Sequence, residues 1–483
     1  SSYTQYSVLG QASFGWENTY YVEITARNDW SSLLPPANNS YFYPGISATW
    51  NFSNTFSVPK LTYGKLRMSF ADVGRAAPTP YWTNRDFGVG MVERTSAVTV
   101  YGPSALFTSD IKNERKREFE IGFDTRWFEK RPLVAEFSFY TSHTYDQIMG
   151  LGITPATGFS TIKINAGDVK NWGYELLLKY TPFKTDKLTW DVTLTTANQR
   201  TKVIKLYPGI TEYRIAGSNS YSIMAVEGKP IGDVQMYDYL RDSRGNRVVN
   251  SSGLYMRDNS KFVTAANINP DFIGGFTTDL YYGKLSLHLG FDYKFGGTFL
   301  SHTNYYLLGN GQNKESLKYR DEANGGMAYY IDDATGKRIE WKHDMPAPAG
   351  ARDNMVYHDG LILEGVKQVS DGVYEKNDII ITAYEYWTTY IQDMNEWFAP
   401  DKLYKNDYVK FREAAIMYTV PQQISNKLKL QKLTVSLVAR NLFYIYKTMP
   451  NIDPESLLGN DQFVEYTPLP QLRSYGFKID VSF

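Results

Sequence analysis

The sequence predicts an all-β protein, a transmembrane antiparallel β-barrel with long extracellular loops, and three observations lead there. Apolar and polar residues alternate strictly over long segments. In the last one, Tyr475, Phe477, Ile479, Val481 and Phe483 point one way and Gly476, Lys478, Asp480 and Ser482 the other, as a period of two requires of a strand. The segments are long, many of ten to sixteen residues, where a strand usually has about five or six. Their connections are alternately short and long, as in barrels with tight periplasmic turns and long outer loops.

About thirteen strands follow, near 4–16, 19–30, 43–53, 60–72, 114–129, 132–147, 169–182, 187–202, 270–281, 284–299, 404–419, 432–442 and 472–483. Leu285, Leu287, Leu289, Phe291, Tyr293 and Phe295 alternate with Ser286, His288, Gly290, Asp292 and Lys294. Leu188, Trp190, Val192 and Leu194 alternate with Thr189, Asp191, Thr193 and Thr195. The short connections are Glu17–Asn18, Asn54–Pro59, Lys130–Arg131, Phe183–Asp186, Tyr282–Gly283 and Val420–Gln431; the long ones span roughly 31–42, 73–113, 148–168, 203–269, 300–403 and 443–471. This sorting sets Phe483 on the periplasmic side and Ser1 outside. Single-chain bacterial barrels have an even strand number, so residues 1–483 are expected to form the C-terminal part of a barrel.

Composition narrows the function classes. The 483 residues include 51 basic and 51 acidic side chains, five His and no Cys. A balanced charge argues against a nucleic-acid partner, and the missing Cys removes disulfides and thiolate chemistry. Mean hydropathy is −0.41, and no run approaches the ~18 apolar residues of a membrane helix. Aromatics are plentiful, with 39 Tyr, 26 Phe and 10 Trp.

Several segments resemble the SusC/RagA family of TonB-dependent outer-membrane transporters. They are Arg27-Asn28-Asp29-Trp30-Ser31-Ser32, Tyr43-Pro44-Gly45-Ile46-Ser47-Ala48-Thr49-Trp50, Glu118-Phe119-Glu120-Ile121-Gly122-Phe123-Asp124 and Asn171-Trp172-Gly173-Tyr174-Glu175-Leu176. Further along come Val226-Glu227-Gly228-Lys229-Pro230-Ile231-Gly232, Asn269-Pro270-Asp271-Phe272-Ile273-Gly274-Gly275, Tyr408-Val409-Lys410-Phe411-Arg412-Glu413 with Tyr418-Thr419-Val420-Pro421, and Ala439-Arg440-Asn441-Leu442-Phe443 with Asp453-Pro454-Glu455. Their order matches the family's C-terminal barrel region, and no segment resembles its plug domain, TonB-contacting segment or first strands. The resemblance implies a 22-strand barrel, a SusD-like lipoprotein lid, a TonB complex acting through the plug, surrounding outer-membrane lipid and a dimer of transporter–lid pairs. It implies import of glycans or oligopeptides without covalent chemistry. The charged residues of these motifs read as ties between barrel and loops rather than substrate ligands.

Other chemistry finds little footing. His143, His288, His302, His343 and His358 form no metal-binding spacing, and no G-x-S-x-G, P-loop or dinucleotide fingerprint occurs. No cofactor or metal is expected. The runs starting at Asp332 and Asp242 read as turns. The longest loop, 300–403, is the place to seek binding residues. Its aromatics Tyr329, Tyr330, Trp341, Trp387, Tyr390 and Trp397 are the candidates to contact substrate or partner, since Tyr and Trp stack on sugars and anchor interfaces. Their number tilts the substrate towards glycans. Tyr386, Tyr390, Met394 and Phe398 suggest a helix over 384–398 with aromatics facing the lid. The alternative is a soluble or surface β-rich carbohydrate-binding or structural module.

Overall fold

The computed structural model describes residues 3–76, 88–92, 97–101, 105–107, 110–152, 154–157, 159–342, 344–391, 400–449, 451–457 and 463–483. Thirteen strands form one antiparallel sheet in chain order: β1 Gln5–Trp16, β2 Tyr20–Ser31, β3 Ser40–Trp50, β4 Leu61–Arg75, β5 Glu114–Trp127, β6 Leu133–Tyr145, β7 Asp168–Lys184, β8 Leu188–Lys205, β9 Pro270–Tyr282, β10 Leu285–Gly296, β11 Tyr408–Thr419, β12 Lys432–Lys447 and β13 Ser474–Ser482. Every expected strand is present, with shifted ends. The eleventh starts at Tyr408 because Tyr404–Lys405 pairs instead with Thr298 and Phe299. The twelfth runs on to Lys447 against β11.

Register separates two faces. On one, Leu66 lies opposite Phe123, Met68 opposite Ile121 and Phe70 opposite Phe119; Phe123 and Ile121 in turn face Phe137 and Phe139. This apolar face belongs to lipid, because water would penalise so wide a band of exposed hydrocarbon. The other face carries Arg67, Glu120, Asp124 and Ser138 and belongs to the lumen. At the short-turn end Tyr20 stacks on Trp50 and Phe183 on Trp190, at 6.3 and 5.9 Å between ring centres, as an interfacial aromatic girdle does. The tightest turn has Glu17 and Asn18 both at positive φ, 51° and 52°, closed by Thr19 N–H donating to Trp16 O at 2.9 Å, a twist suited to a hairpin.

The conventional core lies above the sheet. Three long loops merge there into a headpiece. Val248–Val249 from the loop after β8 pairs in parallel with Val366 and Lys367 from the loop after β10. Leu300 and Ser301 pair in parallel with Val464 and Glu465 from the loop after β12. One apolar cluster draws Ile223, Val234 and Met236 from the first loop, Leu300, Tyr305 and Trp387 from the second, and Phe463 from the third.

Candidate functional site

The candidate site is the lumen wall together with the headpiece clasped to its mouth. On the wall, Arg67 spans three strands: it pairs with Glu120 at 2.8 Å, reaches Asp124 at 3.3 Å and donates to Ser138 Oγ at 2.7 Å. Gly122 makes room for it, since a Cβ there would come within 2.9 Å of Arg67 Cζ. His288 Nδ1 meets Asp279 at 2.7 Å on this polar face, where the alternation of β10 places it.

At the mouth, a β-bulge decides which side chains converge. Gly290 faces Glu413 and Phe291 faces Phe411, so Arg412 is the extra residue. An extra residue reverses the alternation locally, and Arg412 joins Lys410 and Tyr408 on the lumen side. A matching irregularity in β12 sits at Asn441, with φ of 54°. Arg412 holds Asp292 and Glu455 and donates to Asn441 Oδ1 at 2.9 Å and Gln471 Oε1 at 3.2 Å. Lys410, almost fully buried, also holds Glu455, and Tyr408 donates to it at 3.2 Å. Asp453 shapes the segment, accepting from Tyr444 Oη, from Glu455 N at 3.1 Å and from Gln471 N at 2.9 Å. Burial opposes the charge on Glu455, but hydrogen bonds from Arg412 and Lys410 outweigh it and hold the carboxyl at about 2. The Tyr408–Arg412 and Asp453–Glu455 motifs are thus the two halves of one clasp between barrel and loop.

The headpiece closes on a second network. Tyr239 Oη donates to Asp401 Oδ1 at 2.9 Å and lies 2.6 Å from Tyr390 Oη. Tyr239 has one hydroxyl proton, so Tyr390 is the donor between them. Burial pushes both phenols up. Arg247 pairs with Asp401 at 2.8 Å and covers the Tyr239 ring at 4.0 Å. Arg338 grips Glu385 with two bonds, 2.6 and 2.9 Å. Burial opposes the Glu385 charge, and these bonds more than offset it, lowering its pKa.

The loop aromatics have different fates. Tyr329, Trp387 and Tyr390 are 2, 4 and 4 % exposed. Tyr329 stacks on Tyr357, and Trp387 Nε1 donates to Lys318 O at 2.9 Å. These three pack the headpiece rather than face a partner, Trp387 and Tyr390 from a helix that turns its largest rings to the core and Tyr329 from the strand Met327–Ile331. The helix is a π-helix, Glu385–Ile391; Trp397, with Met394 and Phe398, lies outside the described residues. Tyr330 and Trp341 are half-buried, edge to face at 5.4 Å. The Asp332 and Asp242 runs are turns, each carboxylate capping nearby backbone N–H groups. Among the described residues no three His, Asp or Glu side chains gather as a metal site.

A lipid-facing apolar band, a polar lumen and loops sorted to one end define an integral outer-membrane β-barrel. The sequence matches the family described as TonB dependent receptor-like, beta-barrel over residues 1–281. The chain belongs to that family. It is 26 % identical over 321 residues to TonB-dependent receptor P26 of Formosa agariphila, matching 60 % of this chain and 31 % of that protein. It is 22 % identical over 339 residues to TonB-dependent receptor P39 of the same organism, matching 60 % and 32 %. The RagAB peptide importer in its closed-closed state contains a chain that superposes with a TM-score of 0.71 at 18 % identity, over all of this chain and 48 % of that one. Its open-open state gives 0.69 at 19 % identity, over all of this chain and 47 % of that one. This likeness shows the fold, in line with the SusC/RagA resemblance of the motifs. The matches span about a third of each curated relative and about half of each solved chain.

Proposed function

We propose that the chain forms the wall and outer mouth of a TonB-dependent importer of oligopeptides, working with a SusD-like lipoprotein lid. The observation that carries this reading is the mixed-sign lumen lining beneath a clasped headpiece. A cavity of about 630 Å³ is lined by Arg67, Lys294 and Arg412 together with Glu136, Glu175 and Asp292. Alternating charges suit a zwitterionic peptide backbone with varied side chains, whereas a glycan site calls for exposed aromatic faces. Three of the six candidate aromatics, Tyr329, Trp387 and Tyr390, are buried in the headpiece, and among the described ones Tyr330 and Trp341 remain to meet lid or substrate. The peptide cargo named for RagAB supports the same choice. The energy-coupling step belongs to a plug and TonB complex, as in the family. Purified full-length transporter with its co-purifying partners is expected to release oligopeptides on denaturation, read by mass spectrometry. Uptake of those peptides by cells is expected to stop when the proton gradient is collapsed. Release of neutral oligosaccharides without peptide would reassign the cargo to glycans, and gradient-independent uptake would overturn the transport reading.

A further inference from the structure

The lipid-facing surface is uneven around the barrel. Directly above the apolar band, outward positions of β5 to β8 carry a row of basic side chains. Arg117 lies opposite His143, His143 opposite Lys170, and Lys170 opposite Lys202. Arg115 sits one outward step above Arg117, and Arg200 lies opposite Trp172.

Carboxylates answer part of this charge. Asp72 pairs with Arg115 at 2.7 Å and with Arg117 at 3.0 Å. Asp271 pairs with Arg200 at 2.6 Å, and Asp168 comes to 4.0 Å from His143. Lys170 and Lys202 are exposed, and no ion pair is formed by either among the described residues. Like charges directly opposite each other across two strands destabilise a sheet. Such a pair fits a protein whose environment brings an anion to it. Tyr145, whose ring lies 5.0 Å from the Arg117 guanidinium, and Trp172 add the aromatic surface that marks the bilayer–water boundary.

We propose that this sector is a binding site for a phosphorylated lipid headgroup of the outer leaflet. The Lys170–Lys202 pair would hold the phosphate, Arg200 and Arg117 would flank it, and the acyl chains would lie on the Phe119, Ile121 and Phe139 surface below. Basic side chains at a membrane surface gain about 1 kcal/mol each from anionic lipid, and here they adjoin a continuous hydrocarbon face. The site concerns the membrane around the barrel and is independent of what the barrel imports.

The test uses the full-length transporter in phosphatidylcholine nanodiscs doped with diphosphoryl lipid A, with native mass spectrometry reading retained lipid. The K170Q/K202Q variant is expected to retain roughly ten- to thirty-fold less, following the per-lysine contribution, and K170R/K202R to retain it as the natural protein does. In uncharged detergent K170Q/K202Q is expected to melt no lower than the natural protein, which separates lost lipid from lost fold. Equal retention by K170Q/K202Q would overturn the proposal. So would equal binding of dephosphorylated lipid A, which would make the contact purely apolar. Displacement by millimolar inorganic phosphate would assign the lysines to a free anion instead and overturn it as well.

Discussion

The barrel wall and the headpiece are built on opposite rules. In the wall, each strand meets only its chain neighbours, and nearly every side chain faces either lipid or lumen. Its stability comes from the interstrand hydrogen-bond ladder, which lipid leaves no solvent to replace, and from local ion pairs such as Lys179 with Asp191 at 3.0 Å. The headpiece behaves as a soluble domain. It buries Phe299, Leu300, Phe463 and Ile381 completely and joins residues more than 150 positions apart, Tyr239 with Tyr390 and Ser301 with Glu465. A substitution should therefore be felt differently according to the region it enters.

The largest effect is expected inside the headpiece. Trp387→Ala removes an indole from its core and should cost about 3–5 kcal/mol, the usual range for a buried Trp. Hydrogen exchange followed by mass spectrometry should show lost protection over 298–308 and 385–391 while β5 to β8 stay protected. Equal loss in both regions would mean that the two are one cooperative unit and would erase the comparison.

The clasp between the regions comes next. The Glu455 carboxyl ordinarily titrates at 4.5 and is held at about 2 here. Its folded value is depressed, so the stabilisation is present above pH 4.5 and is lost as pH falls towards 2. Glu455→Gln should destabilise the headpiece by roughly 3 kcal/mol at neutral pH, from that difference in proton affinity. The gap between variant and natural protein should close progressively as pH falls from 4.5 to 2, measured by proteolytic release of the loop at each pH. A gap that persists at pH 2 would show that shape rather than charge holds the clasp.

The smallest effect belongs to the wall. Lys179 is nearly half exposed beside Asp191, and Lys179→Gln should change stability by less than about 1 kcal/mol, as for other exposed pairs. Its unfolding midpoint in urea should stay close to that of the natural protein. A larger shift would mean that lumen ion pairs carry more of the barrel than the ladder does.

What could be read without a structure follows this division. Alternation and loop sorting are local signals, because a strand's two faces are set by the parity of each residue. They placed all thirteen strands and both faces of the wall. The start of β11 at Tyr408 was displaced because Tyr404 and Lys405 pair with a loop strand instead, and the end of β12 at Lys447 because its ladder with β11 continues that far. The helix near 385 was visible as clustered aromatics, but its π-helical turn and its packing were not, since both depend on what lies against it. The Lys410, Arg412 and Glu455 motifs were legible as ties, whereas their convergence on one carboxylate required the bulge at Arg412. Nothing in the sequence joins Tyr239 to Asp401, which lie in different loops with the wall strands β9 and β10 between them.

The sequence by itself determined a transmembrane barrel, its thirteen strands and the sorting of its long loops to one end, because a two-residue period and the length of each connection are properties of neighbouring residues. Only the tertiary structure decided which loop aromatics are core and which are surface, how three loops become one headpiece, and that basic residues from four strands line up above the lipid band. Those outcomes depend on register and on contacts between distant segments, and no local pattern encodes them.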